Sequence, residues 1–148
     1  MAWEDMAEEA LEDLAAKVAM TLKPGDVVIL SGEVGAGKTT FVRAAARSLG
    51  VAERVTSPTY QLARSYEGTV DGRRVTVNHL DLYRIEGIEA GDVLELDDYL
   101  DPRAVTFVEW AEPALALLED PIVVRISHQT PDTRRVNIEG PVAERLEC

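Results

Sequence analysis

Asp26-Val27-Val28-Ile29-Leu30-Ser31-Gly32-Glu33-Val34-Gly35-Ala36-Gly37-Lys38-Thr39-Thr40-Phe41 runs from an apolar stretch through a glycine-rich turn into a helical repeat. Residues 26–30 are short, apolar and rich in β-branched side chains, which predicts a buried strand. Residues 31–37 hold three glycines and predict a turn. From Lys38 onward, Phe41, Val42, Ala45 and Leu49 recur at helical spacing, with Gly50 placed to cap the end. Strand, glycine loop and helix in that order open a β-α unit.

Residues 32–39 match the phosphate-loop pattern G-x-x-x-x-G-K-[ST] in full. Each fixed position has a physical role. Gly32 and Gly37 permit backbone angles and a close approach that a side chain would block. The backbone N–H groups of Gly32, Glu33, Val34, Gly35, Ala36, Gly37, Lys38, Thr39 and Thr40 are then candidates to hold nucleotide phosphates at the positive end of the following helix. Lys38 can reach the outer phosphates as a point charge. The Thr39 hydroxyl can join the shell of a Mg²⁺ ion, a hard cation that keeps several of its waters. Roughly one random chain of this size in a few hundred would contain the pattern, and the flanking strand and helix make chance rarer still.

Phosphoryl chemistry also needs an acid at the end of a second buried strand. Ala104-Val105-Thr106-Phe107-Val108 predicts such a strand, and Glu109 follows it. Glu109 is the candidate metal acid, with an arm long enough to act through a water. Asp81 ends another predicted strand, in His79-Leu80-Asp81-Leu82-Tyr83-Arg84, and could orient attacking water or assist the metal. Arg84 could sense a phosphate or pair with a nearby acid. His79 and His128 lie far apart in sequence and the one cysteine is Cys148, so a zinc site is not expected.

The rest of the chain surrounds this unit. Leu11, Leu14, Ala15, Val18 and Leu22 predict an amphipathic helix over 6–22, with acids gathered at its start. Strands are predicted over 60–66 and 74–80, joined through Gly68 and Asp71-Gly72. Short helical pieces are read around Val93-Leu94 and Tyr99-Leu100, and a short helix over 114–118. Strands over 122–126 and 135–138 pair through Thr130-Pro131-Asp132. The expected fold class is α/β, with a central mixed sheet of parallel strands flanked by antiparallel ones and helices on both faces. Residues 1–148 suit a single domain, with roughly 70% of the unfolded surface buried.

Composition excludes other classes. Of 148 residues, 46% are hydrophobic and 28% charged, which argues against disorder. Fifteen basic against 27 acidic residues give a net charge of −12, a field that repels a nucleic-acid backbone. Arg73-Arg74 and Arg134-Arg135 read as solvated turn residues, with a local RNA contact as the alternative. The lone cysteine allows no disulfide framework, and residues 1–5 carry neither a positive nor an apolar leader segment. No apolar run approaches a membrane span. A cytoplasmic setting without membrane contact is the expectation.

Four blocks together carry a resemblance: residues 32–41, then Thr56-Ser57-Pro58-Thr59-Tyr60, then residues 79–84, then Val108-Glu109-Trp110. In this order they resemble the bacterial TsaE (YjeE) family, the ATPase component of tRNA threonylcarbamoyladenosine biosynthesis. The resemblance covers nearly the whole chain and implies a P-loop ATPase fold with ATP and Mg²⁺ as ligands. By position, it implies phosphate binding by Lys38, metal binding by Thr39 and Glu109, and help with hydrolysis from Asp81. It implies a switch-like loop at Thr56, Ser57, Pro58, Thr59 and Tyr60, with Trp110 beside the nucleotide or the partner face. It also implies TsaD and TsaB as partners, with tRNA met only indirectly and hydrolysis weak without them. Two departures stand out. Residues 1–5 leave little room for the short strand that often precedes the first helix in the family, and Val34 stands where Leu is commoner.

Three rival readings use the same loop. A small-molecule kinase needs an acceptor pocket and often an Arg-rich lid, and no long insertion of that kind is visible. A GTP switch needs an Asn-Lys-x-Asp motif, and Asn78-His79-Leu80-Asp81 lacks the lysine. A non-catalytic nucleotide-dependent scaffold would use the same residues and differs only in turnover.

Overall fold

The computed structural model describes residues 2–32, 37–52, 63–81, 102–109 and 121–140. In chain order these form β1 (Ala2–Met6), α1 (Glu8–Thr21), β2 (Val27–Gly32), α2 (Lys38–Ser48), β3 (Ala63–Val70), β4 (Arg73–Asp81), β5 (Ala104–Glu109), β6 (Ile122–Thr130) and β7 (Thr133–Glu139). The seven strands make one sheet in the order β1-β7-β6-β2-β5-β4-β3. Strands β6, β2, β5 and β4 run parallel, while β1, β7 and β3 join antiparallel at the two sides. The mixed order expected from the sequence is therefore present.

Strand alternation sorts side chains onto two faces. Val28 and Leu30 of β2, Val105 and Phe107 of β5, and Ile122, Val124 and Ile126 of β6 share a core with both helices. The α1 stripe of Leu11, Leu14, Ala15, Val18 and Leu22 is buried there, as its spacing predicts. Phe41, Val42, Ala45 and Leu49 enter the same core from the α2 end. Each fully buried Leu, Val or Phe contributes roughly 1.5–3 kcal/mol, so this face holds the helices in place. Both described helices thus pack on one face. Ile29, Leu80 and Val108 of the opposite face are also buried. The helical pieces read at 93–94, 99–100 and 114–118 lie outside the described residues.

Two expectations are corrected. The chain does begin with an edge strand: Ala2 and Trp3 pair with Asn137 and Val136 of β7, and Met6 pairs with Arg134. The ladder is irregular between Trp3 and Met6, where Asp5 takes φ +54° and its N–H donates to Gln129 Oε1 at 2.8 Å. Five residues suffice because β7 supplies the template. Met6 therefore closes β1, and α1 starts only at Glu8, where Glu8 and Glu9 meet the positive end of the helix.

Gly68 is the second correction. It lies inside β3, paired with Val75, and the turn is Asp71-Gly72 alone. Both turn residues have positive φ, +51° and +79°, the geometry that matches the twist of a two-residue hairpin. Gly68 is needed for close approach instead. A Cβ there would sit 2.6 Å from the Leu49 carbonyl oxygen and 3.0 Å from Val77 Cγ2. The neighbouring Thr69 N–H donates to that same carbonyl, tying β3 to the end of α2. Gly68→Ala is expected to cost about 1–3 kcal/mol through overpacking. A thermal melt should then show Tm lowered by several degrees.

Candidate functional site

The site is built where β2, β4 and β5 end beside the start of α2. Strand β2 stops at Gly32 and α2 starts at Lys38. Glu33, Val34, Gly35 and Ala36 lie outside the described residues. Gly37 is the N-cap of α2 with φ +114°, a conformation L side chains rarely adopt, and a Cβ there would meet Leu11 Cδ2 at 2.9 Å. Among the described residues no side chain caps this helix, and its first turn holds no acid. In α1, by contrast, two acids sit at the same position. The first turn of α2 instead carries Lys38, Thr39 and Thr40, the latter two half-buried.

Lys38 is 6% exposed, and its Nζ donates to the Gly32 carbonyl oxygen at 2.7 Å. An ammonium taken out of water is costly unless acceptors surround it. The loop's own carbonyl fills that role here, so a cation is kept at the mouth of the turn. This geometry suits a phosphate, which would supply stronger, charged acceptors.

Glu109 is the last residue of β5. It stands in register with Leu30 of β2 on one side and Asp81 of β4 on the other. Gly32 lies two positions beyond Leu30, so the acid and the loop leave the sheet side by side. By the alternation, Glu109 shares the helix face with Val105 and Phe107. It is 3% exposed, and His79 Nε2 lies 2.5 Å from its Oε2. His79 is itself fully buried, and its Nδ1 has no hydrogen-bond partner among the described residues. Lys38 and Thr39 open α2, while Asp81 and Glu109 close the neighbouring strands β4 and β5 in register with each other. Arg84, Trp110 and the loop Thr56, Ser57, Pro58, Thr59 and Tyr60 lie outside the described residues.

From the sequence, His79 opens the block 79–84 and is not expected to bind zinc, and its contact with Glu109 goes unforeseen. Its position in the alternation Val75, Val77, His79 was the available signal, because an imidazole on an inward-facing row requires a partner. Among the described residues, no three His, Cys, Asp or Glu side chains group to hold a metal by themselves. A Mg²⁺ ion held mainly by phosphates and waters needs only one or two chain oxygens. A buried carboxylate and a hydroxyl in the first turn of α2 fit that donor set.

A second feature adjoins the loop. A cavity of about 320 Å³ is lined by Glu8 and Leu11 of α1, Gly37 and Thr40 of α2, and Pro131, Asp132 and Arg134 at the β6–β7 turn. The turn is organised locally: the Thr130 hydroxyl accepts from the Asp132 and Thr133 N–H groups, and Arg134 Nη1 donates to the Thr133 and Pro131 carbonyls. Arg134, read from the sequence as a turn residue, is instead the second residue of β7 and stands at the cavity wall. Nothing in the local sequence signals this, because the cavity is assembled from three distant segments.

No helix among the described residues is long and apolar enough to cross a membrane. Comparison with known proteins gives a consistent result. The family model described as "Threonylcarbamoyl adenosine biosynthesis protein TsaE" matches residues 6–136. A Streptomyces coelicolor protein named tRNA threonylcarbamoyladenosine biosynthesis protein TsaE is 39% identical over 136 residues, spanning 88% of this chain and 90% of its own. A Bacillus subtilis protein of the same name is 38% identical, over 74% of this chain and 65% of its own. The crystal structure of YdiB from Bacillus subtilis superposes with a TM-score of 0.76 at 28% identity, covering 99% of this chain and 93% of that one.

Proposed function

This chain belongs to the TsaE family of threonylcarbamoyladenosine biosynthesis proteins, and we propose from that premise that it is a Mg²⁺-dependent ATPase serving the modification of tRNA position 37. One observation carries the nucleotide part: the buried Lys38 ammonium rests on the carbonyl of Gly32, two positions along β2 from the residue in register with the buried acid Glu109. On this reading Lys38 exchanges the Gly32 oxygen for outer phosphate oxygens. The N–H groups of residues 32–40 hold the remaining phosphate oxygens at the uncapped start of α2. The base and ribose occupy the cavity beside Thr40, the residue that follows the phosphate-binding pair.

Thr39 and Glu109 would hold Mg²⁺. Bound there, the ion supplies charge neutralisation on the transferring phosphoryl group. Asp81 or the 56–60 loop positions the attacking water, and Arg84 and Trp110 contact nucleotide or partner. The partners on this reading are TsaD and TsaB, and the chain works in the cytoplasm. Loss of the γ-phosphate relaxes the 56–60 loop and alters the grip on that complex. The test is a reconstituted modification reaction. With ATP, tRNA and a threonylcarbamoyl donor in excess, TsaD–TsaB should complete many cycles only when this chain is added. Equal product with and without it would reject the role.

A further inference from the structure

We propose that His79 is a positioning residue that fixes the Glu109 carboxylate for metal binding. The proposal rests on the reading of Glu109 as a metal acid and extends it to a residue so far without a role. Three observations carry it. His79 Nε2 and Glu109 Oε2 are 2.5 Å apart. Both side chains are almost fully withdrawn from solvent, at 0% and 5% exposure. Each is placed by a central parallel strand, with His79 in register beside Phe107 and Glu109 beside Asp81.

On the reading of Glu109 as a metal acid its carboxylate only accepts hydrogen bonds, and the imidazole then donates from Nε2. Nδ1 is then a bare acceptor, and its burial without a partner among the described residues is a cost. A core position next to Phe107 would be filled more favourably by an apolar side chain. What the histidine adds is one directed N–H, which occupies Oε2 and leaves Oε1 as the oxygen offered at the end of β5. Such outer partners hold ligating carboxylates in orientation, and their removal typically weakens metal binding roughly 10- to 100-fold.

The experiment measures Mn²⁺ binding to the protein–ADP complex from the free-ion EPR signal, with no turnover involved. His79→Leu keeps the volume and loses the donor. Its Mn²⁺ affinity should fall roughly 10- to 100-fold, while ADP binding in EDTA stays within twofold. His79→Gln can return an N–H near Nε2 and should recover most of the loss. Unchanged Mn²⁺ affinity in His79→Leu, with Glu109→Gln impaired, would overturn the role of His79 alone. Unchanged affinity in both variants would overturn the metal role of Glu109 and this proposal with it. Should His79→Leu not fold, ¹⁵N-labelled wild-type protein decides. The His79 Nε2–H resonance should shift on adding Mg²⁺ to the ADP complex, and an unmoved resonance would reject the proposal.

Discussion

Lys38→Ala is expected to lower Mg²⁺-dependent phosphate release from ATP by about 10²–10³-fold, the usual consequence of removing one preorganised donor from a developing charge. ATP binding should weaken as well, by about 1.5–3 kcal/mol for a lost charged hydrogen bond. Stability should behave differently from activity. The native chain holds this ammonium at 6% exposure against the Gly32 carbonyl, so its removal also relieves the burial of a charge. A thermal melt should therefore keep Tm within a few degrees of the parent. Full turnover by the variant would remove Lys38 from the reaction. A collapse of Tm would show that the lysine serves folding instead.

Glu109 separates charge from structure through two substitutions. Glu109→Gln keeps an oxygen to accept the His79 N–H but loses the negative charge. It should melt near the parent while Mg²⁺-dependent phosphate release falls at least about 100-fold. Glu109→Ala should lose activity equally and also leave a buried cavity and an orphaned His79 donor. About 2–3 kcal/mol of destabilisation follows, or a Tm lower by about 4–12 °C for a chain of this size. Equal melting of the two variants would mean that the His79–Glu109 contact contributes nothing to the fold. Phosphate release unchanged in Glu109→Gln would remove the acid from metal binding.

The parts legible in the sequence are those specified locally. Strand β2 and helix α2 read correctly because an apolar run and a 3.6-residue repeat are each visible within a few positions. The α1 stripe reads correctly for the same reason. Strand β1 escapes notice because Ala2–Met6 has no pattern of its own and exists through pairing with β7, at the other end of the chain. Gly68 reads locally as a turn residue because glycine serves both turns and close approaches, and only the path of α2 past β3 distinguishes them. The His79–Glu109 contact joins positions 30 apart, and which partner a buried imidazole finds depends on strand register. The cavity beside Thr40 likewise depends on three segments meeting. Motif spacing thus located the candidate chemistry, and non-local packing supplied the groups that orient it.

Phosphate release from ATP, with Mg²⁺, alone and with purified TsaD–TsaB, tests the proposed function most directly, with Lys38→Ala as the blank. A partner-gated ATPase gives slow release alone, strong stimulation by the complex, and none in the blank. Release that is equal with and without the partners, or equal in parent and blank, would contradict it.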